Sequence, residues 1–208
     1  LFLFILFYSQ ILKNFKDICI LVCNIIIAYV IIHNNIKARA GLNDRESLDY
    51  IIVAQNLGVA YHWSGDPAAA IRALTDAVTL SRAAGQSFQT LTAMAILGRA
   101  YEMQAALHLA METYQEALDL GSGAGKQPAP FTCMAYVGMA GVPYEWNDLD
   151  AAKRYAERCA QLAQQIEGFE TPGTCQVFFA RLKLAAGDMT GAIEHLAQAE
   201  HFMRRCNF

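Results

Sequence analysis

Few residues in this chain have types and spacing that could do chemistry. The stretch Gly121-Ser122-Gly123-Ala124-Gly125-Lys126-Gln127 comes nearest to a loop that cradles phosphate. That chemistry needs Gly where Leu120 stands, Ser or Thr where Gln127 stands, and a strand before the loop. Here the stretch follows a helical segment, and it reads as a flexible inter-repeat linker. His62, His108, His195 and His201 fall in different segments or on exposed faces, and the last two are six residues apart. That spacing does not put two imidazoles on one helical face to share a metal ion. Glu145, Asp148 and Asp150 form an acidic cluster, which a turn with a capping Asp explains without catalysis. No Ser-His-Asp or Cys-His arrangement can be argued from these spacings. We expect no catalytic residue, no metal site, no cofactor and no enzyme activity.

Six cysteines, Cys19, Cys23, Cys133, Cys159, Cys175 and Cys206, include no Cys-x-x-Cys pair and no His at zinc spacing. They read as small core residues in reduced, cytoplasmic surroundings. With a net charge of −3 and no cluster of Lys and Arg beyond Arg204–Arg205, the chain lacks the surface that neutralises phosphates, so no nucleic-acid partner is expected.

Aromatic residues carry more information. Tyr61, Trp63, Tyr101, Tyr144 and Trp146 each fall just before a turn. Aromatic stripes serve packing first. Trp63 and Trp146 are the better candidates for contacting a ligand or partner, with Tyr144 and Glu102 beside them.

The elements that carry these residues form a repeat. From Asp44 onward, long Ala-rich helical stretches alternate with short turns. The turn Gly65-Asp66 recurs as Ala105-Ala106, Asn147-Asp148 and Gly187-Asp188, at spacings of 40, 42 and 40 residues. Seven residues before each turn stand Gly58, Gly98, Ala140 and Ala180. Five after it stand Ala70, Ala110, Ala152 and Ala192, and twelve after it Ala77, Ala117, Cys159 and Ala199. Small side chains at fixed register let two antiparallel helices approach closely. Larger residues nine after the turn, Leu74, Tyr114 and Leu196, fill the space beside them. One hairpin cannot bury both faces, so each stacks on the next. The expected fold is all-α: a solenoid of about four helical hairpins, 47–83, 87–120, 131–165 and 174–205, with Gly/Pro linkers around 121–130 and 168–173.

Residues 1–37 differ in kind. They hold ten Ile and one Ala, against six Ile and thirty-three Ala in 38–208, a break abrupt enough to suggest two DNA origins or a frame error near Lys37. The chain also opens on Leu1, from which we expect a fragment or a processed piece. The apolar run Ile18–Ile32 spans about 22 Å as a helix, short of a hydrocarbon core of about 30 Å. A signal-sequence reading, with Ala38-Arg39-Ala40 as the cleavage site, also exists. The simplest reading of 1–37 is a poorly folded extension outside the repeat domain of 43–208.

Asn56-Leu57-Gly58-Val59-Ala60-Tyr61, followed by Gly65-Asp66 and Ala70, resembles a tetratricopeptide repeat. So does Leu97-Gly98-Arg99-Ala100-Tyr101 with Ala110, Tyr114 and Ala117. In that repeat Tyr61 and Tyr101 hold a packing slot, and the first helices line the concave face. The longer period, with Trp63-Ser64-Gly65-Asp66, Ser81-Arg82-Ala83-Ala84-Gly85 and Tyr144-Glu145-Trp146-Asn147-Asp148, is similar to the superhelical sensor domain of MalT-like, LuxR-type ATP-dependent regulators. There the repeats lie between a nucleotide-binding ATPase module and a helix-turn-helix. Neither module lies in these 208 residues, so ATP hydrolysis and DNA binding do not carry over. The resemblance implies a sensor that receives a protein partner or small-molecule inducer on its concave face and relays it to self-association. Similar repeats also occur beside kinase and cyclase modules. A plain adaptor for a peptide or protein is the alternative.

Overall fold

The computed structural model describes residues 48–122, 129–165 and 171–205. The expectations for residues 1–37, and for most of the Gly-rich stretch ending at Gln127, lie outside the described residues. Eight α-helices follow in order among the described residues: α1 (Leu48–Ser64), α2 (Pro67–Ala83), α3 (Ser87–Met103), α4 (Leu107–Ser122), α5 (Cys133–Glu145), α6 (Leu149–Ala163), α7 (Thr171–Ala185) and α8 (Met189–Arg205). A 3-10 turn, Pro130–Thr132, leads into α5. None of the described helices is long and apolar enough to cross a membrane.

The turns explain why the helices stop and restart where they do. Gly65, Ala105, Asn147 and Gly187 all take positive φ, between 56° and 78°. A left-handed residue turns the chain out of the preceding helix, and its neighbour then closes the helix end. The amide of Asp66 donates to the Tyr61 carbonyl at 3.0 Å, that of Asp148 to Pro143 at 2.8 Å, and that of Asp188 to Lys183 at 2.9 Å. The same three aspartates then cap the next helix. Their Oδ1 atoms accept from the amides of Ala69, Ala151 and Gly191 at 2.9, 2.9 and 2.8 Å. One residue thus ends one helix and starts another. The second turn has Ala105 and Ala106 in these places and no such carboxylate.

The chain divides into two compact units, Leu1–Gln104 and Ala105–Phe208. In the first, α2 packs on both α1 and α3, and α1 also touches α3. Its core joins Ala70 and Leu74 of α2 to Leu97 and Ala100 of α3, with Tyr61, Ile71 and Tyr101 half-buried around them. Gly58 gives Leu74 its room, because a Cβ there would come within 2.6 Å of Leu74 Cδ2. Two buried hydroxyls at the α2–α3 junction satisfy each other, Thr90 donating to Ser81 at 2.9 Å.

In the second unit the helices pack in sequence from α4 to α8, and the first helices α5 and α7 also meet. Tyr114 of α4 is fully buried, with its ring over Gly138 of α5, where no Cβ could stand. Ala140, Ala152, Ala156 and Phe178 make one core cluster. Cys133, Cys159, Leu162, Ala163 and Cys175 make another. All twelve small residues of the three repeat positions are buried. Of the residues nine after each turn, Leu74, Tyr114 and Ala156 are buried, while Leu196 of α8 is half exposed.

Two expectations need correction. The cysteines are not all isolated, because Cys159 of α6 and Cys175 of α7 are disulfide-bonded with Cα atoms 6.7 Å apart. Helix α7 begins at Thr171, ahead of the expected Thr174, and takes in Pro172 and Gly173, which were expected in the linker. Proline is at home in a helix's first turn, where its missing N–H has no partner to lose.

Candidate functional site

The C-terminal end of α1 carries Trp63, 42% exposed, and α3 brings Arg99 over it, with the guanidinium carbon 6.0 Å from the ring centroid. A guanidinium over an indole face is held by the ring quadrupole. His62 stands edge-on to Trp63 at 5.6 Å. Its Nδ1 is buried without a hydrogen-bond partner. Burial, and then the positive charge of Arg99, pull the imidazole down to a pKa of about 4, so the ring is neutral at pH 7.

The second unit repeats this device with different residues. Arg181 of α7 lies 4.3 Å from the centroid of the Tyr144 ring and 5.4 Å from that of Phe178. Its guanidinium also donates to Glu145 Oε1 at 3.1 Å. Tyr144 and Phe178 meet edge to face at 5.7 Å. Arg99 and Arg181 occupy the same place in the repeat, six residues before the turn, and each reaches back to the end of the preceding first helix. Trp146, 46% exposed, lies beside His108 of α4, the two rings tilted at 42° with centroids 5.3 Å apart.

Of the residues expected to bind, Trp63 and Glu102 lie in the first unit, and Tyr144 and Trp146 in the second. Both tryptophans are solvent-facing, whereas Tyr144 and Glu102 are half-buried. The structural positions Gly58, Gly98, Ala140 and Ala180, and Ala70, Ala110, Ala152 and Ala192, are all interior. Sequence reasoning missed the arginines. The signal was there, in two Arg at one register of a chain poor in clustered charge.

A separate cleft of about 360 Å³ opens between α6, α7 and α8. Leu149, Phe179 and Leu182 give it an apolar floor, with Lys153, Lys183 and His195 at its edge. The rim charges are partly engaged. Lys183 donates to Asp188 at 2.9 Å, and Lys153 stands 3.8 Å from Glu157. The Gly191 amide, and then Lys183, hold the Asp188 carboxyl below its ordinary range. His195 Nδ1 lies 2.7 Å from Gln176 Oε1. Among the described residues no group of three or more His, Cys, Asp or Glu could hold a metal ion.

Known proteins with this arrangement are helical repeat proteins. BtubC (BKLC) from P. vanneervenii superposes with a TM-score of 0.58 at 19% identity, over 80% of this chain and 67% of that one. The apo form of RapI gives 0.63 at 8% identity, over 88% of this chain and 65% of RapI. A Podosopora anserina putative kinesin light chain with nearly identical TPR-like repeats gives 0.56 at 16% identity, over 93% and 92%. This chain thus spans about two thirds of the length of the first two. No curated protein matches it in sequence. At these identities the structures speak for the fold alone, an all-α TPR-like solenoid. The sequence profile described as the MalT-like TPR region matches residues 42–208, most of the chain, and the protein belongs to that family.

Proposed function

We propose that the chain is a non-catalytic interaction module that binds a protein partner through the turn-proximal ends of its first helices. We further propose that it serves as the cytoplasmic sensor and oligomerisation part of a signal-transduction ATPase that regulates transcription. The family match and the TPR-like fold support the coarser reading, a repeat module for protein interaction. One observation carries the site: an arginine six residues before the turn lies over an aromatic of the preceding hairpin, once as Arg99–Trp63 and again as Arg181–Tyr144. Trp, Tyr and Arg dominate the energetic centres of protein interfaces, since each offers a large rigid area together with a polar handle. Here the pairs are pre-ordered, so little side-chain entropy is lost on binding.

The test combines stability with binding. Trp63→Ala and Arg181→Ala should leave the melting temperature within about 2 °C of the parent, because surface changes rarely exceed about 0.5 kcal/mol. A quencher in solution should reach the parent's indoles. Peptides selected by display on the parent should bind the variants at least about tenfold more weakly, the loss expected of a hot-spot residue. Strongly destabilised variants with quencher-shielded fluorescence would make these core residues and remove the proposal. A second reading, a small-molecule inducer, is favoured by the cleft between α6, α7 and α8, whose volume lies in the range of ligand pockets.

A further inference from the structure

We infer that Cys159 and Cys175 form a site of reversible oxidation, at which a small-molecule disulfide such as oxidised glutathione locks the fourth hairpin onto the third.

The repeat itself brings the two thiols together. Cys159 stands twelve residues after its turn, and Cys175 twelve before the next. The same two positions at the first seam hold Ala77 and Ala93, both fully buried and members of one core cluster. The corresponding residues between α4 and α5, Ala117 and Ala135, are fully buried as well. Each seam thus places two small residues at this register, and only between α6 and α7 do both carry sulfur. There the Cα atoms stand 6.7 Å apart, within the span a disulfide can bridge, across 16 residues of sequence. The sites are 0% and 1% exposed, so an oxidant reaches them only when α7 lifts from α6. Cys133 of α5 belongs to the same cluster and, among the described residues, is a competing thiol.

The step balances by thiol–disulfide exchange. One protein thiolate attacks a sulfur of the small disulfide, forming a mixed disulfide and expelling one small thiolate. The second protein thiolate attacks the protein-side sulfur, closing the Cys159–Cys175 bond and expelling the other. The two cysteine protons end on the two released thiols, and the small disulfide has taken up two electrons. A reducing dithiol runs the sequence backwards. Helix α7 carries Phe178 and Arg181, so the bond also fixes one of the aromatic–arginine pairs. That consequence rests on the partner-binding reading, whereas the bond itself does not.

The experiment uses the full chain, reduced and then incubated with oxidised glutathione or with dithiothreitol, alkylated and mapped by mass spectrometry. We expect a cross-linked peptide joining Cys159 to Cys175 in the oxidised sample and two alkylated cysteines in the reduced one. The oxidised form should melt about 5–10 °C higher. Hydrogen exchange along α7 should be slowed to match. The variant Cys159→Ala/Cys175→Ala takes the Ala–Ala pair of the first seam, and should melt at the reduced parent's temperature in both conditions. Four results overturn the inference: both cysteines alkylated after oxidation, a cross-link that uses Cys133 in place of either, a bond that withstands dithiothreitol in the folded chain, or an oxidation-dependent shift that survives in the double variant. The mapping on the parent stands whether or not the variant folds.

Discussion

His62 shows how one half-buried ring can set a pH dependence. Its Nδ1 is buried without a partner, and its pKa falls from 6.5 to about 4 on folding. The unfolded chain therefore binds a proton at this position more readily than the folded one. The stability involved is fully present above pH 6.5 and is lost as pH falls from there toward 4. With allowance for the partial exposure of the ring, the loss between pH 7.5 and 5 should be about 1 kcal/mol. Urea melts of the parent and of His62→Gln at the two pH values check this. The variant should lose most of that difference, and equal slopes would place the dependence elsewhere. Trp63 and Trp146 are a second lesson at this scale. Their types suggested contact surfaces, but only the folded chain shows which side chain each lies beside, Arg99 in one case and His108 in the other.

At the scale of elements, three of the four turns at the repeat marker share one design and the second departs from it. Ala105 holds a φ of 56° without being glycine, and Ala106 offers no cap where the others have aspartate. A Cβ in the left-handed region costs about 1 kcal/mol, and a missing N-cap about 1 kcal/mol more. Ala105→Gly/Ala106→Asp should therefore raise stability by about 1–2 kcal/mol and the melting temperature by about 3–6 °C. A calorimetric scan of the double variant decides it, and no rise would mean the Ala-Ala turn carries no strain. These turns also explain how much of the fold was legible. Capping residues at 66, 148 and 188 mark helix starts in the sequence because the Asp side chain and the backbone it caps are local. The small-residue register was legible for the same reason, since it repeats at fixed offsets from the turns. The Arg181–Tyr144 and Cys159–Cys175 contacts were not. They join residues 37 and 16 apart in different hairpins, and only the stacking brings them together.

At the scale of the whole molecule, the composition break near Lys37 falls just before the family match, which begins at residue 42. The repeats carry their own cores in both units, so a chain of residues 42–208 should fold alone. Its melting temperature should lie within about 2–4 °C of the parent's, equivalent to about 1 kcal/mol. Circular dichroism of the two chains measures this directly. Unfolding of the shorter one would make the N-terminal segment part of the repeat structure.

The seams between hairpins also bear on how such a chain can change over generations. Because Ala–Ala and Cys–Cys occupy the same pair of slots, a seam can move from one to the other through a single thiol. At the first seam, where the cluster of Ala54, Ala77 and Ala93 holds no cysteine, that intermediate adds only one sulfur atom to a buried site and finds no second thiol there. The extra atom is felt by the packing of that seam, so covalent linkage can be gained or lost at one joint while the others keep their own contacts. A modular stack of this kind can acquire chemistry one joint at a time, because each joint is built to the same pattern and stands largely by itself.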